Sequence, residues 1–318
     1  MSANHKPAHR LLSYIYAAKA LLFKALIREA KHLSTYKTKT AALAAILAAA
    51  CLPNIPQVDA SEAASKTATS TAPQALPASP LRAAELGSPK PLIIVHGAWG
   101  GGWDWKEVGN ALAKNGYTVY RPSLTGLGDR VHLASKDIGL ETHINDIVNL
   151  ILFEDLHDVT LVGHSYGGMV ITGAADRVPD RIARLVYVDA YLPDHNESLV
   201  TANGGQPSKT ITRAMNAPDN NGFIAPFWVK PGTPPPTDVP HPIKTLQDPI
   251  ILKNQDRTQS IPGTYILTVD PGKTPDQDRF SAFAQKARSR NFTYFQMDET
   301  DHTPERSRPD ELVELITK

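Results

Sequence analysis

Val159-Thr160-Leu161-Val162-Gly163-His164-Ser165-Tyr166-Gly167-Gly168 is the stretch on which the reading of this 318-residue chain turns. Four apolar or β-branched residues predict a strand, the pair Gly163 and Gly167 brackets a serine in a tight turn, and a helix-like run begins at once. Such an elbow holds a hydroxyl proud of a sheet edge, because glycine on either side lets neighbouring backbone approach where a Cβ would collide. Ser165 is therefore a candidate nucleophile. The pattern alone also fits an ordinary glycine-rich turn, so the rest of the chain has to supply its context.

Outward from the elbow, the alternation of strands and helices repeats. Pro91-Leu92-Ile93-Ile94-Val95 reads as a strand buried on both faces. A helix is expected from Asp104 to Asn115, a strand over Tyr117–Tyr120, and a helix over Glu141–Phe153 with Ile144, Ile147, Val148 and Ile151 at helical spacing. Gly167–Arg177 continues as a helix and Ala183–Val188 as a strand. After a break come a strand at Thr264–Val269, a helix at Gln277–Arg290, a strand at Phe292–Met297 and a closing helix at Pro309–Ile316. This order implies an α/β fold: a mainly parallel sheet with helices on both faces and right-handed crossovers. The break, about 193–262, is rich in proline, glycine and asparagine and includes the aromatics Phe223, Phe227 and Trp228. It is too long for a plain loop and is expected to be an inserted cap.

The first ninety residues differ in composition. Met1 to Thr40 is basic, with Glu29 as its one acid, and Ala41–Ala50 is an apolar run of signal-peptide length, too short to span a bilayer comfortably. Small residues at Val58-Asp59-Ala60 suit a signal peptidase. Residues 1–60 are thus expected to be a leader that exports the protein to the periplasm or medium, and 61–90, rich in Ala, Ser and Pro, a disordered linker before the domain 91–318. Acylation at Cys51 is a lesser option, because the large aliphatic residue that usually stands three places earlier is missing. The competing reading is a cytoplasmic protein whose leader is a short alanine-rich helix.

Composition narrows the function classes. A formal net charge of +1 with acids and bases interspersed gives no nucleic-acid surface. One cysteine, no C-x-x-C and scattered histidines offer no metal-ligand spacing, and no Lys-Ser/Thr follows the glycine-rich loop at residues 97–102, so neither metal nor nucleotide cofactor is expected. The partner anticipated is a small-molecule substrate, and oligomeric state is unreadable.

A serine hydroxyl needs a base, and the base an orienting acid. His302, a few residues past the last expected strand, is the best base. Asp270 directly follows the strand ending at Val269, and Asp189 the strand ending at Val188; the two are alternatives for the acid. His96 and His164 are expected to support the backbone beside the site, whereas His132, His143, His157, His195 and His241 are expected on surfaces or in the cap. Backbone N–H groups of Ala98, after the first strand, and Tyr166, after the elbow, are candidate oxyanion donors. Trp99, Trp103, Phe227 and Trp228 are candidates for lining a pocket for apolar or aromatic substrates, with core packing an equally good account of any single one.

Together Val95-His96-Gly97-Ala98-Trp99 through Trp105, the elbow, Tyr191-Leu192-Pro193-Asp194 and Asp301-His302 resemble the α/β-hydrolase superfamily. The branch is that of plant methyl-ester esterases, hydroxynitrile lyases and bacterial carboxylesterases, and the resemblance covers about residues 90–318. It implies Ser165 as nucleophile, His302 as base, Ala98 and Tyr166 as oxyanion donors, and ester hydrolysis through an acyl-enzyme. In the plant enzymes the acid follows the penultimate strand, as Asp270 does, while some bacterial relatives keep one matching Asp189. Hydroxynitrile lyases of this branch have threonine at the position of Gly97 and lysine at that of Thr303, so lyase chemistry is the lesser alternative. A ligand-binding protein on the same fold, with weak turnover, is another.

Overall fold

The computed structural model describes residues 90–202 and 209–318. The expected leader, Cys51 and all of the expected linker but Lys90 lie outside the described residues. Apolar β-branched runs and helical periodicity resolve, in chain order, into β1 (Lys90–Val95), α1 (Lys106–Lys114), β2 (Tyr117–Tyr120), α2 (Leu140–Phe153), β3 (Val159–His164), α3 (Gly167–Arg177) and β4 (Ile182–Val188). The segment 193–262 carries α4 (Lys209–Met215), the two-residue strands β5 (Phe223–Ile224) and β6 (His241–Pro242), α5 (Lys244–Gln247) and α6 (Gln255–Gln259). The chain then returns to the sheet through β7 (Gly263–Thr268), α7 (Ser281–Ser289), β8 (Thr293–Met297), α8 (Pro304–Ser307) and α9 (Pro309–Thr317).

Six strands pair in the order β2-β1-β3-β4-β7-β8, all parallel. The expected α/β architecture is what the chain adopts. Because successive side chains of a strand point to opposite faces, β1 divides its residues between two cores. Leu92 and Ile94 join Trp105, Val108 and Leu112 near α1, with Leu312 and Ile316 of α9. Ile93 and Val95 join Ile144, Ile147 and Ile151 of α2, Val170 and Ile171 of α3, and Phe283 and Ala287 of α7. Burial on both faces explains why these strands read as continuous apolar runs rather than alternating ones.

The sequence reading placed helix from Asp104; the structure has a 3-10 turn at Gly102–Trp105 before α1. Short elements go unread in the sequence, among them the 3-10 stretches Gly128–Leu133, Pro179–Arg181 and Pro275–Gln277, α8, and the short helices and strands within 193–262. Runs this short do not show a period.

Candidate active site

Backbone strain sets the elbow. Ser165 sits at φ +51°, a left-handed conformation that costs of order 1–3 kcal/mol and persists only where the surroundings enforce it. They do so from three sides: the Ser165 N–H donates to Val188 O (3.3 Å), and its carbonyl accepts from Gly168 (3.1 Å) and Tyr191 (3.1 Å). A Cβ at Gly163 would stand 2.8 Å from Gly167 O, and one at Gly167 would stand 2.4 Å from Val95 O. Both approaches are closer than real side chains allow, so the two glycines let β1, β3 and α3 close around the serine.

The loop after β8 carries His302 over the same sheet edge. Its Nε2 lies 2.9 Å from Ser165 Oγ and its Nδ1 lies 2.5 Å from Asp189 Oδ2. Asp189 follows β4 at φ +43°, which turns the carboxyl back toward the loop. There its other oxygen, Oδ1, accepts from Thr268 N (3.2 Å). Asp270, the other candidate acid, makes no hydrogen bond to the imidazole. The chain beyond β7 stays in register for one more residue, Val269 N donating to Met297 O (2.9 Å), and the following turn sets the Asp270 carboxylate against Lys273 Nζ (2.6 Å) near solvent.

Burial dominates the electrostatics of this group. It pushes the Asp189 carboxyl up and the His302 imidazole down, so both resist charge. The arrangement that satisfies every partner is a neutral imidazole donating Nδ1–H to the carboxylate and presenting a bare Nε2 to the serine hydroxyl. Two rings hold the imidazole in place: Phe280 stacks on it at 5.0 Å with an 11° interplanar angle, and His164 donates from Nε2 to the His302 carbonyl (2.7 Å). His96 donates from Nδ1 to Gly97 O (2.7 Å) and accepts from Leu124 N (3.1 Å), fixing the loop that precedes Ala98. Among the described residues, neither the Ala98 nor the Tyr166 amide donates to a protein acceptor.

A cavity of about 700 Å³ opens over Ser165 and His302. Ala98, Tyr166, Trp99, Phe227 and Trp228 line it. Trp103 does not: the turn Gly102–Trp105 carries its ring beneath the Arg306 guanidinium, 5.5 Å away, which corrects the expectation that it lines the pocket. Phe227 is 76% exposed, so it is rim rather than wall. One end of the cavity is polar, with Arg306 forked onto Asp104 (2.6 and 2.5 Å) and Trp228 donating to Asp238 (2.7 Å). Glu305 also lines the cavity, 2% exposed, and among the described residues its Oε2 has no hydrogen-bond partner; burial and the nearby Asp104 push its carboxyl up to about 8.

Sequence reasoning missed Phe280, Glu305 and the burial of His143. Phe280 looks like any helix-start apolar residue, whereas Glu305, three positions past His302, could have been flagged by proximity. His143, expected at the surface, is fully buried on α2. It accepts from Tyr166 Oη (2.9 Å) and donates to Thr125 O (2.9 Å). His241 lies in the cap segment as expected, and is fully buried there. Among the described residues no cluster of His, Cys, Asp or Glu is arranged to hold a metal ion, and no helix is long and apolar enough to cross a membrane.

Several known proteins resemble this chain. A carbendazim hydrolyzing esterase from Nocardioides sp. is 53% identical over 108 residues, which span 34% of this chain and 45% of that protein. Methylesterase 1 of Arabidopsis thaliana is 25% identical over 253 residues, 71% of this chain and 94% of its own length. Among solved structures, an extracellular alpha/beta-hydrolase from a Paenibacillus species, described as sharing structural and functional homology with tobacco salicylic acid binding protein 2, superposes with a TM-score of 0.57 at 25% identity. It covers 72% of this chain and 98% of its own. The pyrethroid hydrolase PytH superposes at 0.58 with 20% identity over 72% of this chain and 96% of its own, a likeness of fold. The model of the alpha/beta hydrolase family matches residues 92–315, and this chain belongs to that family.

Proposed function

We propose that this protein is a serine carboxylic-ester hydrolase acting on small apolar or aromatic esters. The observation that carries the reading is a single imidazole, His302, within hydrogen-bond reach of a strained serine hydroxyl at 2.9 Å and a buried carboxyl at 2.5 Å. Ser165 attacks the ester carbonyl while His302 Nε2 takes its proton. Asp189 holds the tautomer and steadies the imidazolium that forms. The backbone N–H groups of Ala98 and Tyr166, each free of an acceptor among the described residues, receive the oxyanion. His302 returns the proton to the leaving alcohol, and water repeats the sequence to release the acid.

Esterases among the relatives support the reaction class. The apolar walls of the cavity support the substrate class, and the segment 193–262, which contributes Phe227 and Trp228, serves as the cap. Export through the leader 1–60 is part of the same proposal; it rests on the basic run and the short apolar run, and a relative is described as extracellular. Amino-terminal sequencing of the mature protein from its host should start near residue 61, and an intact leader would refute export.

The test of the activity is hydrolysis of p-nitrophenyl acetate and butyrate by the wild type and by Ser165→Ala. Loss of turnover in the variant is expected; equal turnover in the two would remove Ser165 from the mechanism.

A further inference from the structure

Trp99 adjoins the proposed oxyanion donor Ala98 and is held at φ +66°, a conformation that a bulky side chain avoids unless its surroundings impose it. Every polar group of Trp99 that could impose it is tied to the segment 193–262. Its carbonyl accepts from Val239 N (2.9 Å), its indole N–H donates to Ile224 O (2.9 Å), and its backbone N–H donates to Nδ1 of His241 (3.2 Å). Two of these partners are backbone groups, which substitution leaves in place. His241 is the one side chain among them.

The partners of His241 fix its tautomer. Nδ1 accepts from Trp99, so Nε2 carries the proton and donates to Thr245 Oγ1 (2.6 Å); that hydroxyl passes its own hydrogen to Pro242 O (2.8 Å). The ring also packs between the residues that flank the proposed oxyanion hole, 5.7 Å from the Trp99 ring and 5.0 Å from the Tyr166 ring. Burial and the neighbouring imidazoles of His143 and His96 keep it neutral, and neutrality is what lets Nδ1 accept.

We propose that His241 is a positioning residue: by accepting the Trp99 N–H it holds the peptide between residues 98 and 99 in a strained orientation, and so ties the seating of the 193–262 segment to the oxyanion hole. It touches no reacting atom. Its effect is therefore on stabilising the transition state rather than on holding the ester. The inference rests on the ester-hydrolase reading above.

His241→Asn and His241→Gln separate this role from mere packing. Both are polar and of similar size, but asparagine places its oxygen where Nδ1 stands, whereas glutamine places its amide nitrogen where Nε2 stands, donating to Thr245 Oγ1, and leaves nothing to accept the Trp99 N–H. With p-nitrophenyl acetate, the asparagine variant should keep kcat within about 5-fold of wild type and the glutamine variant should lose about 10- to 100-fold, the scale of a misplaced oxyanion donor, with KM changed little in either. A phenyl trifluoromethyl ketone, whose serine adduct carries an oxyanion, should lose affinity in step with kcat. Thermal midpoints check whether each variant is folded at the assay temperature. Equal kcat in the two folded variants, whether high or low, would overturn the proposal, as would loss expressed in KM alone. If the glutamine variant does not fold, ketone affinity in the asparagine variant decides: a loss of more than about 10-fold refutes the assignment, on the same scale. Turnover unaffected by Ser165→Ala would instead refute the ester reading.

Discussion

At the scale of single residues, the two aspartates at strand ends separate cleanly. Asp189 is buried and bonded to the imidazole, whereas Asp270 faces Lys273 near solvent. Asp189→Asn should lower kcat about 10³- to 10⁴-fold, because the amide forces the wrong tautomer on His302, while Asp270→Asn should cost less than about 3-fold. Steady-state kinetics on one ester checks both, and comparable small losses would refute the assignment. Asp189 also shapes the pH profile. Burial raises the Asp189 carboxyl, so its charge is lost at a higher pH than an ordinary aspartate's, and kcat/KM should fall as the medium becomes acidic. Glu305 makes a separate prediction about stability. Its carboxyl is raised in the folded chain from the ordinary 4.5 to about 8. Between those values the unfolded chain has released a proton that the folded chain still holds, so the contribution of this group to stability is full in acid and lost as pH rises through about 8. Thermal midpoints of Glu305→Gln relative to wild type should therefore be more favourable at pH 9 than at pH 5.

At the scale of elements, the strands were legible because burial on both faces demands continuous apolar β-branched runs, and Leu92–Val95 and Leu185–Val188 supply them. The elbow singles out Ser165, and the place a few residues past the last strand singles out His302. Choosing between Asp189 and Asp270 was beyond the sequence, since both directly follow parallel strands. What distinguishes them is a backbone torsion of +43° at residue 189, and aspartate tolerates that conformation without advertising it. Likewise the buried positions of His143 and His241 depend on long-range partners, Tyr166 and Trp99, that no local pattern announces. The closing helix α9 was visible from its periodicity, and its packing is measurable: Leu312 is fully buried against α1, so Leu312→Ala should cost about 2–5 kcal/mol in denaturant unfolding without changing KM.

At the scale of the whole molecule, the sheet edge gathers groups from four separate parts of the chain: the loop after β1, the elbow, the end of β4 and the loop after β8. The 193–262 segment supplies the rim. Trp228 packs edge-on to Trp99 at 5.1 Å and Phe227 edge-on to Trp228 at 4.8 Å, so the aromatic rim is continuous with the loop that carries Ala98. Removing the rim ring with Phe227→Ala should raise KM for an aromatic ester such as p-nitrophenyl benzoate more than for methyl acetate, and an equal effect on both would place Phe227 outside the binding surface. The central claim is that Ser165 is a nucleophile activated by His302. Its most direct test is labelling with an organophosphonate ester, followed by peptide mass spectrometry. The account predicts a single phosphonylated serine, Ser165, in the wild type and strongly slowed labelling in His302→Ala and Asp189→Asn; labelling at another residue, or at Ser165 with a rate indifferent to His302, would contradict it.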